Sequence, residues 1–202
     1  MLTKKMLFVT ASMLSLTGCV GLAVTGATTT GYAAAQERTI GHAVDDWSIW
    51  AQIKHMYLQK NVSELLGKVR VEVIEGRVLL SGTVSNPADR IEAVRIAWQP
   101  TGVKEVLNNI EVSPPGYKPS ISILKEIAKD NVITSSLKGK LLLEKDIRSI
   151  NYTVETNKGI VYLMGIAQSD VELERVTEIA SRIKGVRKVV SYVVLKDDQR
   201  RN

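Results

Sequence analysis

Around residue 70 the chain alternates, with Val69, Val71 and Val73 apolar and Arg70 and Glu72 polar between them. Period two marks a half-buried strand. Glu75-Gly76 follows, and glycine supplies the positive φ that a tight hairpin needs, so 77–81 reads as the returning strand. Ahead of the hairpin, Ile49, Ile53, Met56 and Tyr57 recur at helical spacing and predict an amphipathic helix over 46–59. Beyond it, Asn86-Pro87 is a helix start signal. That second helix is expected to end at Gly102 and to lead into a last strand over 106–112.

The same succession then recurs. The run from Val71 to Gly82 returns as the run from Val154 to Gly165, an offset of 83 residues. Ile96-Ala97 matches Ile179-Ala180, Gly102-Val103 matches Gly185-Val186, and Val106 matches Val189. Upstream, Asp46 and Ile49 match Asp130 and Ile133 at an offset of 84, so one loop differs by a residue. In the second copy Ile123, Ile133, Leu137 and Leu141 predict a first helix over 122–143. The hairpin is placed at Lys158-Gly159, with 160–164 returning. Ser169-Asp170 starts the second helix, which ends at Gly185, and 189–195 is the last strand. A strand–helix–strand crossover makes its flanking strands parallel. The fold class is therefore α+β, two tandem modules, each a small mixed three-stranded sheet with two helices on one face. Gly82 and Gly165 end the returning strands, where a neighbouring backbone is expected to approach too closely for a β-carbon.

The chain begins differently. Lys4 and Lys5, an apolar run over 6–16 and Leu16-Thr17-Gly18-Cys19 read as a secretory signal ending on the single cysteine. Its apolar part is far short of the roughly 20 residues that span a bilayer. The organisation predicted is a signal over 1–18, a tether over 19–44, modules over 45–112 and 120–196, a linker over 113–119 and a polar tail over 197–202. The tether reads equally well as a surface-lying segment or as a disordered spacer. One cysteine excludes an intramolecular disulfide framework, so stability rests on apolar burial. The charge of +6 is unevenly placed: residues 45–115 carry −1 and residues 118–202 carry +5. That asymmetry suggests an anionic partner for the second half, and outside the cytoplasm anionic lipid fits better than nucleic acid.

Leu-Thr-Gly-Cys at 16–19 resembles the bacterial lipobox, which implies a diacylglycerol on Cys19 and acylation of the new amino terminus. The returning strands Val78-Leu79-Leu80-Ser81-Gly82 and Val161-Tyr162-Leu163-Met164-Gly165, each with a downstream Gly-Val, resemble the BON domain. Lipobox and tandem modules together are similar to the dual-BON outer-membrane lipoproteins of Gram-negative bacteria. That resemblance implies an outer-membrane protein facing the periplasm, since Val20 is not the aspartate of an inner-membrane retention signal. It further implies support of envelope integrity, anionic phospholipid bound through the first helix of the second module, and envelope or division proteins as further partners. On that helix Lys125, Lys129, Val132, Ser136 and Lys140 fall within about 80° of one another at 100° per residue. The family carries tryptophan where this chain has Val132, which predicts a weaker contact than an interfacial indole gives.

Catalysis has little to stand on. The only histidines are His42 and His55, and with Cys19 acylated no Cys/His nucleophile or metal cluster forms. No enzyme, cofactor or metal is expected. Asp45-Asp46 is expected to cap a helix. Trp47, Trp50 and Trp98 are expected in the core or at a domain interface. The alternative function is a structural periplasmic adaptor for envelope proteins, with lipid only as a tether.

Overall fold

The computed structural model describes residues 40–59, 63–114 and 121–201. Cys19, the signal and nearly all of the tether lie outside the described residues, as does most of the linker. The first module runs α1 (Ile40–Gln59), α2 (Ser63–Lys68), β1 (Val69–Ile74), β2 (Arg77–Val84), α3 (Pro87–Ala97) and β3 (Glu105–Val112). The second runs α4 (Ile121–Leu143), a 3-10 turn (Ser149–Asn151), β4 (Tyr152–Asn157), β5 (Ile160–Ala167), α5 (Asp170–Ser181) and β6 (Lys188–Leu195). In each sheet the middle strand pairs antiparallel with the first and parallel with the last. The register repeats as well: Val69 faces Gly82 as Tyr152 faces Gly165.

Each module has its own core. Ile49, Ile53 and Tyr57 of α1 and Ala93, Ile96 and Ala97 of α3 cover Val71, Val78 and Leu80. Ile133, Leu137 and Leu141 of α4 and Val176, Ile179 and Ala180 of α5 cover Val154, Val161 and Leu163 in the same way. Asn86 caps α3, its side chain accepting from the Ala88 amide at 2.9 Å, with Pro87 next, as the sequence predicts. Ser169 caps α5 through the Glu172 amide.

The opposite sheet faces meet each other. Ile74 and Leu79 form one buried cluster with Tyr162 and Met164, so the modules pack sheet against sheet with helices outermost. Polar contacts rim that interface. Asn109 Nδ2 donates to Tyr192 Oη at 2.9 Å, and Arg77 Nη1 donates to the Tyr192 carbonyl at 2.8 Å. Arg70 donates to Glu155 at 2.8 Å and to the Thr156 carbonyl at 3.0 Å. Glu111, late in β3, pairs with Lys158 of the β4–β5 turn, while Glu75 of the β1–β2 turn meets Arg201 beyond β6. The two sheets therefore run in opposite senses.

Three expectations are corrected. The first helix begins at Ile40, six residues before 46, so Asp45 and Asp46 lie inside it. The Asp46 carboxylate instead accepts from the turn amides of Glu75 and Gly76 at 2.8 and 2.9 Å. Asp130 holds Lys158 and Gly159 identically, at 2.7 and 2.8 Å. Trp47, Trp50 and Trp98 are 67%, 39% and 51% exposed, because Asp46, Ile49, Ile53 and Tyr57 take the inward face of α1 and Trp98 follows the last residue of α3. Gly102 and Gly185 do not end helices. They lie in the turns that follow, at φ 94° and 98°. The expected polar tail contains a 3-10 turn (Gln199–Arg201) that Arg201 fastens to the first module.

The glycine expectation is met by backbone. A β-carbon on Gly82 would lie 2.0 Å from the Lys68 carbonyl oxygen, and one on Gly165 would lie 2.1 Å from that of Asn151.

Candidate functional site

α4 is the longest described helix, 23 residues or about 34 Å. Asp130, Ile133, Leu137 and Leu141 fix its inward face, and that choice turns Lys125, Lys129, Val132, Ser136 and Lys140 outward. All five are exposed along one side of the helix, Val132 by 64%. The helix thus brings together the five candidates that sequence reasoning selected.

It also brings residues that the sequence reading missed. Leu124, Leu142 and Leu143 are 68%, 74% and 82% exposed. With Ala128 and Val132 they occupy an arc of about 100° pointing away from the core. The lysines and Ser136 border that arc. Centring the helical projection opposite Ile133, Leu137 and Leu141, rather than on the lysines, finds this strip from sequence alone. An exposed apolar strip edged by lysines is the pattern of a helix lying in an interface, its apolar side down and its ammonium groups beside it.

Beside the amino-terminal half of α4 lies an open groove of about 890 Å³. Lys129, Val132 and Ile133 form one wall, and the turns holding Lys158-Gly159 and Lys184-Gly185 form the other, with Arg187 behind. Four basic side chains line it, against Glu126 and Asp130. Two of the four are engaged: Lys158 pairs with Glu111 at 2.6 Å, and Arg187 donates to the Lys158 carbonyl at 3.4 Å. Lys129 and Lys184 meet no partner among the described residues, so their charges face solvent in the groove.

The first module repeats the groove with different chemistry. Its volume is about 350 Å³, and its walls are Asp45, Ser48, Ile49, Glu75, Gly76, Thr101, Gly102 and Lys104. Asp45 stands where Lys129 does, Ser48 where Val132 does, Glu75 where Lys158 does and Thr101 where Lys184 does. His42 Nδ1 is 3.6 Å from Glu75, and His55 is exposed on α1. Among the described residues there is no group of three or more His, Cys, Asp or Glu suited to a metal ion. None of the described helices is long and apolar enough to cross a membrane.

Several proteins resemble the chain along most of its length. A protein of Anaplasma centrale, described as an uncharacterized protein in the gshII 5' region, is 43% identical over 158 residues, covering 78% of this chain and 99% of its own. The outer membrane lipoprotein DolP of Haemophilus influenzae is 30% identical over 188 residues, 93% of each chain. The osmotically-inducible protein Y of Escherichia coli is 30% identical over 151 residues, 74% of this chain and 72% of its own. The BON domain pattern matches residues 51–114 and 129–197, the same two units that the sheets delimit, and the chain belongs to the BON domain family.

Proposed function

We propose that the protein is an outer-membrane lipoprotein, anchored through acylated Cys19 and facing the periplasm, whose second module docks on anionic phospholipid and so supports envelope integrity at division sites. The observation that carries this reading is the outward face of α4. There Leu124, Val132, Leu142 and Leu143 lie exposed beside Lys125, Lys129 and Lys140. Similarity to an outer membrane lipoprotein over 93% of the chain supports it.

Two forces add in this arrangement. The leucines and Val132 enter the headgroup boundary, and burial gives about 25 cal/mol per Å² of apolar area removed from water. Each lysine near an anionic surface contributes about 1 kcal/mol. The acyl chains need only hold the helix close, which makes a weak contact effective. The groove beside Lys129 and Lys184 leaves room for a headgroup phosphate next to the strip.

Sedimentation of the acyl-free chain with phosphatidylglycerol or phosphatidylcholine vesicles tests this. The whole two-module chain is the right material, because Tyr162 and Met164 are covered by the first module and an isolated second module exposes them. Binding to anionic vesicles only, weakening as salt rises, is the expected result. Replacing Lys125, Lys129 and Lys140 with glutamine should lower affinity roughly a hundredfold by the lysine figure above. Equal sedimentation with both vesicle types, or indifference to the triple substitution, removes the lipid reading. Exposed Trp47 and Trp50 on α1 favour a second reading, an adaptor for envelope proteins. That reading gains if α4 variants leave envelope phenotypes intact while Trp47→Ser and Trp50→Ser abolish them.

A further inference from the structure

After β6 the chain does not drift into solvent. It turns once over Gln199–Arg201 and lays Arg201 against Glu75, one wall of the first module's groove. Arg201 Nε donates to Glu75 Oε2 and Nη2 to Glu75 Oε1, each at 2.9 Å, a two-pronged guanidinium–carboxylate fork. Glu75 is 2% exposed at its side chain and Arg201 16%. Lys104 Nζ donates to the Arg201 carbonyl at 3.4 Å, and Arg201 Nη1 donates to the Lys196 carbonyl. Asp198 and Arg200 pair at 2.5 Å within the same turn.

Receptor and occupant are held very differently. Glu75 sits in a hairpin turn at φ 52°, and its own amide is bound by buried Asp46. Its backbone is therefore fixed before any guanidinium arrives. The occupant, by contrast, buries none of Gln199, Arg200 and Arg201 fully. Its fastenings are polar: the fork, the Lys104 contact and the hydrogen bonds of its own turn. A segment with so little apolar burial has little besides polar contacts to hold it, and a buried carboxylate left without a cation is strongly disfavoured, so release requires a replacement cation. Glu75 thus demands a cation, and Arg201 supplies it through polar contacts alone.

We propose that Glu75, on the wall of the first module's groove, is a guanidinium-binding site, and that residues 198–201 are its built-in, exchangeable occupant. The ligand class is an arginine-bearing basic segment, in cis from this chain or in trans from a second protein. Lysine fits less well, because a single ammonium cannot match both carboxylate oxygens in one plane. The second module supplies the contrast: Lys158 replaces Glu75, so its groove repels the same group. This inference stands apart from the lipid reading, which concerns the other module.

The test uses the full acyl-free chain and a synthetic peptide of residues 196–202. In Arg201→Ala the peptide should bind at least tenfold more tightly than in the unaltered chain, shifting the amide resonances of Gly76 and Gly102 and leaving Gly159 and Gly185 unmoved. A peptide with alanine at position 201, or the double variant Glu75→Gln with Arg201→Ala, should show no binding. Arg201→Lys keeps a cation over Glu75, so if the alanine variant does not fold it takes that variant's place, with the same tightening expected. Equal binding by altered and unaltered chains, or binding that survives Glu75→Gln, overturns the proposal.

Discussion

The two modules are one fold used twice, and comparing them separates what the fold needs from what the surface does. Asp46 and Asp130 bind the same two turn amides, and Gly82 and Gly165 admit the same carbonyl approach. These residues repeat because the chain cannot make the turn or the strand pairing otherwise. The groove walls do not repeat. Asp45, Ser48, Glu75 and Thr101 in one copy become Lys129, Val132, Lys158 and Lys184 in the other. The outer helices diverge too: α1 exposes two tryptophans, whose counterparts in α4 are Asn131 and Thr134, while α4 exposes leucines and lysines at other positions. Identity between copies therefore marks structure here, and difference marks chemistry.

The hardest test of structural equivalence is Gly82→Val or Gly165→Val. A side chain at either position meets a carbonyl oxygen at about half the normal contact distance, at a φ of 129° or 150° that valine does not adopt. Each substitution should destabilise the chain by roughly 4 kcal/mol or more, in the exceptional range for point mutations. Thermal unfolding checks this, and unchanged melting in either variant breaks the equivalence. Next come Asp46→Ala and Asp130→Ala. Each leaves two turn amides without their acceptor, a loss of about 1–3 kcal/mol per buried group. Equal losses in urea unfolding confirm that the ties are interchangeable.

A smaller effect sharpens the functional difference. Val132→Trp should tighten binding to anionic vesicles severalfold, because an indole suits the headgroup level. Ser48→Trp at the matching site of the first module should not, and vesicle titration separates the two. Glu72 gives the smallest effect. Burial, with the neighbouring Glu155 charge adding, raises its carboxyl above the usual range, against the pull of Lys138, Lys54 and Arg70. The folded chain thus holds that proton more readily than the unfolded chain does. Its contribution is full below the ordinary glutamate range and is lost as pH rises through the raised value. Glu72→Gln should therefore raise the melting temperature at neutral pH, with the advantage vanishing in acid.

Much of this was legible beforehand. Alternation over 69–73, the Asn86-Pro87 start and the offset of 83 fixed both modules, and the spacing of Ile133, Leu137 and Leu141 set which side of α4 points outward. The sheet-to-sheet contact was missed, although the sequence carried a sign of it. Val78-Leu79-Leu80 is continuously apolar rather than alternating, and β2 and β5 prove buried on both faces. The tryptophans misled because size and hydrophobicity suggest burial, whereas helical phase decides it, and that phase belonged to Ile49, Ile53 and Tyr57. Arg201 was beyond reach, since its partner Glu75 lies 126 residues away and no periodicity links them.

Back-to-back sheets also give the molecule a heads and a tails. With α1 and α4 in opposite outer layers, a flat boundary can be touched by only one of them at a time. Resting on α4, the protein shows its aromatic helix to whatever lies on the far side. Turned over, it hides that helix and presents the lysines. Orientation alone thus selects which of two unlike faces the surroundings meet, without any change of shape within either half.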